Sequence, residues 1–384
     1  MRRLLSWIAC LWVASATVAV ACRYSVRDTG FVDLGNSPMR LEFSPDASFL
    51  EPQRQAIAQA AAAVLLDSNI TFSTVAEPRA GEPASLRLVD ATGRSFTLAS
   101  GSEIPRTASE AIRVMESLST SPMRDRLQQE ALRAYAVVLL IEGSDEAANA
   151  RVRDAATTAI ASVTRLIPGM PKPVDVGPQL LTLSRSAQGA ERILLWGLGF
   201  EPSVGSDPRL AIVYGRGRRL GTPLEGPLIT QTVLRERLVL IGQDCECDLD
   251  RSWLRGPLLP GRWDRGRQEL AAKSLGFDPE NPVVRAEVSR IVERGPQPGQ
   301  RRKTAGTAQA LGYSEDSVDS IPSPADLQDG DEPAPAPAQA KTQAKPVPSP
   351  AAAAAPRRLW WLFGSSMAAA AALGAWLAIR SFQR

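Results

Sequence analysis

The chain has 384 residues, enough for two or three domains at roughly 100–200 residues each. It is 44% hydrophobic, and its 44 Lys and Arg nearly balance 41 Asp and Glu, so it reads as globular and lacks the basic footprint of a nucleic-acid binder. It has no histidine, which excludes Ser-His-Asp and Cys-His nucleophile pairs, His-Glu-x-x-His metallopeptidase helices and any imidazole metal site.

The first 21 residues have the three parts of an export signal: Arg2 and Arg3, an apolar run over Leu4–Val20, and small residues Ala19 and Ala21 before a cleavage point. The run is short for a membrane span, which needs about 20 residues. Ala19-Val20-Ala21-Cys22 also resembles a bacterial lipoprotein signal, in which the Cys becomes the acylated first residue, so Cys22 is a candidate lipidation site. Ala19 stands where that family usually has Leu.

Beyond the leader, one order of elements is predicted twice. Met39–Phe43 alternates like a strand, Gln53–Leu66 has helical spacing, and Ile70–Val75 reads as a second strand. Ser85–Asp90 and Ser95–Leu98 form a hairpin around Ala91-Thr92-Gly93, followed by a helix over Ala108–Leu118. In the second copy, Ala136–Ile141 is an apolar strand and Asn149–Leu166 a helix, with Gln179–Ser184 and Arg192–Leu195 read as strands. Leu210–Tyr214 and Arg218–Leu220 flank a Gly-Arg-Gly turn at 215–217, and Ile229–Ile241 closes the copy as a helix.

Strand, helix, strand, hairpin, helix is the order of thioredoxin-like modules, and residues 208–221 resemble the stretch of thioredoxins where a cis proline opens a strand and a Gly turn follows. Pro83 is the weaker counterpart in the first copy. The resemblance implies a cis Pro208 and a loop that binds extended peptide. The chain departs from that family at its active site: where Cys-x-x-Cys belongs, it reads Ser44-Pro-Asp-Ala-Ser48 and Gly143-Ser-Asp-Glu146, so the resemblance implies modules without thioredoxin's redox chemistry. Arg216, Arg218 and Arg219 make a basic tip on the same hairpin, either a solvated loop or a contact for an acidic partner. Gly215-x-Gly217 precedes a strand rather than a helix, so it reads as a turn and not as a nucleotide loop. Asn69-Ile-Thr71 matches a glycosylation sequon.

Removal of the leader, with Cys10, leaves Cys22, Cys245 and Cys247. Asp244-Cys-Glu-Cys-Asp248 admits a structural disulfide, with Cys22 as one candidate partner, a redox pair, or a soft-metal site. The metal reading lacks two of the four ligands of a tetrahedral centre, so no metal or other cofactor is expected. Trp253–Arg294 is a helical appendix whose last helix, Val283–Val292, carries one apolar stripe of Val284, Val288, Ile291 and Val292.

From about Gly295 to Pro356 the chain is basic, then acidic, then Pro/Ala-rich, a composition that cannot offset its ordering entropy. Roughly 60 such residues extend about 40–50 Å on average. Leu359–Ile379 is uncharged, about 21 residues long and flanked by Trp360, Trp361 and Trp376, as a transmembrane helix requires.

The expected architecture is therefore α/β: leader 1–21, first thioredoxin-like module 22–130, second 131–252, appendix 253–295, disordered linker 296–356, and span with tail 357–384. It belongs to no family that the sequence names. The expected location is the bacterial cell membrane, with the bulk periplasmic and a short cytoplasmic tail. The expected role is non-catalytic, binding or organising a protein partner in or beside the membrane. The alternative is thiol-redox or soft-metal handling at Cys245 and Cys247.

Overall fold

A computed structural model describes residues 23–35, 38–75, 82–202, 205–243 and 256–293. The architecture is mixed α/β with two sheets. In the first, β1 (Met39–Ser44) leads through α2 (Glu51–Val64) to β2 (Ile70–Thr74), parallel to β1. The antiparallel strands β3 (Ser85–Val89) and β4 (Ser95–Ser100) follow, and α3 (Ala108–Ser119) closes the module, giving the order β2-β1-β3-β4. Strand alternation sets its core: Met39, Leu41 and Phe43 of β1 point inward with Leu86 and Leu88 of β3, against Ile57 and Ala61 of α2 and Ala111, Met115 and Leu118 of α3. Helix α3 starts at a capping box in which Thr107 accepts from the Glu110 amide and Glu110 accepts from the Thr107 amide.

A helix unforeseen in the sequence, α4 (Pro122–Arg133), leads into the second sheet. There β5 (Val137–Ile141) lies between parallel β6 (Gln179–Leu183) and antiparallel β7 (Arg209–Tyr214). The short strands β8 (Arg218–Arg219) and β9 (Leu224–Glu225) both pair with β7. Helix α5 (Glu146–Leu166) joins β5 to β6, and α7 (Gln231–Ile241) follows β9. All five β5 residues are buried because both sheet faces are covered. Val138 and Leu140 pack with α5 and α7, while Val137, Leu139 and Ile141 pack with Leu127 and Ala131 of α4.

Arg192–Leu195, expected as a strand, belongs to helix α6 (Arg192–Gly197). A short unalternating apolar run does not distinguish the two states. The helical turn sends Leu194 and Leu195 into the second module and Trp196 into the core of the first. There Trp196 lies 6.0 Å from Phe96, with the Arg94 guanidinium 4.9 Å from its ring centre.

The two ends of the described chain pack onto the second module. Tyr24, Val26, Val32 and Leu34, in and around the short helix α1 (Val26–Thr29), lie in its core although the sequence groups them with the first module. After α8 (Arg265–Leu275), the stripe Val284, Val288, Ile291 and Val292 of α9 (Pro282–Glu293) enters the same core, as its spacing predicts. Tyr24 Oη donates to Glu287 at 2.8 Å and Arg23 pairs with Glu287 at 3.0 Å, tying the segments together. Among the described residues no helix is long and apolar enough to cross a membrane. Leu359–Ile379, the leader and the whole linker 296–356 lie outside them.

Candidate functional site

The turn after the first strand of each module gathers a cluster of side-chain-to-backbone hydrogen bonds. In the first module, an Asp46 carboxylate oxygen accepts from the Ser48 amide at 2.9 Å and hydroxyl at 2.6 Å, and its other oxygen accepts from the Ala84 amide at 3.2 Å. The Ser48 hydroxyl, then the Ser48 and Ala84 amides, hold the Asp46 carboxyl below its ordinary range. Arg106 donates to Ser48 Oγ at 3.1 Å and lies 4.4 Å from the Phe49 ring centre. Beside it opens a shallow cleft of about 520 Å³ lined in part by Glu103, Arg106, Thr107, Glu110, Arg113 and Ser117. Glu110 is already engaged there by the Arg106 and Thr107 amides.

In the second module, Asn149 brackets Gly143, accepting from its amide at 2.9 Å and donating to its carbonyl at 3.1 Å. The Ser144 and Asp145 amides donate to the Gly205 and Ser206 carbonyls, both at 3.2 Å. A Cβ on Gly143 would stand 2.2 Å from the Ser206 oxygen, so only glycine allows this approach. The loop before Pro208 is thus bonded to the chain itself. Among the described residues no peptide bond is cis, so Pro208 is trans, which corrects the expectation taken from the thioredoxin resemblance. The trans form is the default for an X–Pro bond.

The basic tip is also corrected, because its arginines turn inward. Arg218 is fully buried and donates to Gly256 O at 2.9 Å and Val32 O at 3.4 Å. Burial, opposed by Tyr214, pushes its guanidinium down to about 10. Arg219 donates to the Gly221 and Leu198 carbonyls. Arg216 stacks 4.9 Å from the Trp263 ring centre and lies 3.6 Å from Glu280, which accepts from Trp263 Nε1 at 2.7 Å. Gly215 adopts a φ of 60°, and a Cβ there would stand 2.3 Å from Gly30, whose carbonyl accepts from the Arg216 amide. The hairpin is therefore a hub that fastens both ends of the described chain. No short-range sequence signal shows this, because the accepting carbonyls are far away in the chain.

Cys22, Cys245 and Cys247 lie outside the described residues. Their described flanks meet: the Val26 amide donates to Gln243 O at 2.9 Å. Among the described residues no group of three or more His, Cys, Asp or Glu is placed to hold a metal ion. Asn69 of the sequon is engaged at both ends of its amide, donating to Leu259 O and accepting from the Gly261 amide, each at 3.0 Å.

No family model and no curated protein matches the chain. Among solved structures, the first two thioredoxin domains of Saccharomyces cerevisiae Eps1p match with a TM-score of 0.18 and 11% identity, covering 49% of this chain and 85% of that one.

Proposed function

We propose that the chain is a non-catalytic binding or assembly protein of the bacterial envelope, built of two thioredoxin-like modules and tethered by the span Leu359–Ile379. The recurrence of a βαβ unit followed by antiparallel strands and a closing helix, with β1 and β5 each flanked by one parallel and one antiparallel neighbour, supports the modular reading. The observation that carries the role is the state of the two turns. Asp46 is committed to Ser48 and Ala84, and the Gly143–Asp145 turn is bonded to Asn149, Gly205 and Ser206. Their polar groups hold the fold together, and the surface rather than a turn then meets a partner. A flexible tether gives such a module reach and raises its local concentration beside the membrane.

Two measurements on the native tethered protein test this reading. A reporter fused ahead of Arg357 should be active outside the cytoplasm, and activity confined to the cytosol overturns the location. Isolation from membranes after cross-linking should recover a protein partner in constant ratio, whereas a chain recovered alone overturns the assembly role.

The second reading, thiol chemistry at Cys245 and Cys247, draws on the Val26–Gln243 contact, which sets Cys22 four residues and Cys245 two residues from one backbone hydrogen bond. Thiol titration with and without reductant separates the two. Cys22 bridged to one member of the pair and inert to mild reductant fits the binding protein. A pair that opens and closes reversibly fits the redox protein.

A further inference from the structure

Residues 256–263 form a strap that crosses from one module to the other. On the second module, the Leu259 amide donates to Gly217 O at 2.9 Å and the Arg219 amide to Pro257 O at 3.1 Å. On the first, the Trp263 amide donates to Asp67 O at 2.7 Å and the Asn69 amide to Gly261 O at 3.4 Å. Arg124 reaches Pro260 O at 3.1 Å, and Arg262 reaches Ser119 Oγ at 3.0 Å. The slot is narrow: a Cβ on Gly197 would stand 2.6 Å from Pro260, and one on Gly261 would stand 2.5 Å from Gln128.

The strap is rich in polar contacts and poor in apolar ones. Across 256–276 the buried hydrophobic residues are Leu259, Trp263 and Ala271, and Leu270 of α8 is 57% exposed. The neighbouring α9 buries four residues in a core cluster that also holds Val138 and Leu140. Segments held mainly by hydrogen bonds, with little apolar burial, open at lower free energy than the cores they cover.

We propose that residues 256–276 are a clasp that opens as a unit while both modules stay folded, with Asn69 as its latch. Asn69 is the one described side chain that grips the strap at two points, Leu259 O and the Gly261 amide, from the first module. Opening releases the Asp67–Asn69 corner and uncovers Phe31 and Leu132, which the closed clasp shields with Trp263 and Ala271. The proposal needs neither the membrane tether nor the binding role.

Native-state amide exchange of the full-length protein, followed over increasing urea below the unfolding transition, tests it. The Leu259, Asn69 and Trp263 amides should exchange through one shared opening with a weaker urea dependence than the β5 amides. In Asn69→Ala, two hydrogen bonds are lost, and those strap amides should exchange about tenfold faster or more while the β5 amides keep their rates. Strap amides that exchange only with β5, in one global step, overturn the clasp. An Asn69→Ala protein with unchanged strap exchange overturns the latch. Should that variant fail to fold, the urea series on the unaltered protein decides the clasp, and Asn69→Asp, which keeps the acceptor for the Gly261 amide but loses the donor to Leu259 O, decides the latch: faster strap exchange supports it and unchanged strap exchange overturns it.

Discussion

Arg218 is shut off from bulk solvent, and its charge is met by protein groups that include the carbonyls of Val32 and Gly256. Arg218→Ala should cost about 3–5 kcal/mol, since it strands buried acceptors and leaves a cavity. Urea denaturation measures this, and an unchanged midpoint would contradict the hub. Three arginines within four residues suggest a solvated loop, because Arg is mostly exposed. The sequence carries no local sign of partners 38 and 186 positions away. Asp46 is the opposite case, since two of its three bonds go to a residue two positions on, within reach of an Asp-x-Ser pattern. Its folded carboxyl sits below the ordinary value, so the unfolded chain binds the proton more readily. That contribution is present above the ordinary carboxylate range and is lost as pH falls through the folded value. Glu110 is shifted the same way, by the Arg106 and Thr107 amides. Asp46→Asn should therefore flatten the acid limb of a stability-versus-pH curve. A limb as steep as the parent's would show that Asp46 contributes nothing there.

At the level of elements, what was legible followed from spacing. The alternation of β1, the β3–β4 hairpin around Gly93 and the stripe of α9 all lie where the pattern places them. Helix α6 defeated the pattern because its side chains serve two cores, and a periodicity reading assumes one buried face. Helix α4 was missed because Arg124 and Gln128 are buried beside its few apolar residues. The clearest element-level prediction concerns residues 23–34. Their deletion removes Tyr24, Val26, Val32 and Leu34 from the second core. At about 1.5–3 kcal/mol for each buried side chain, the loss approaches the whole stability of a domain. Limited proteolysis of that variant should cut within the second module and spare β1 to α3. Equal resistance of both modules would refute the assignment of this segment to the second core.

For the whole molecule, the repeated element order was legible in the sequence, whereas the nesting of the modules was not. The second module is discontinuous, with its first strip of core ahead of the first module and the remainder after it. A linear reading draws one boundary near residue 130, because spacing reports neighbours along the chain and says nothing of an early segment returning to a late one.

That nesting has a kinetic consequence. Tyr24 and Glu287, joined by one hydrogen bond, are separated by 263 positions, so their encounter must close nearly the longest loop the described chain allows. Contacts this distant slow the search for the native state. During synthesis Tyr24 can complete its bond to Glu287 only once α9 has emerged, so this part of the second core closes late.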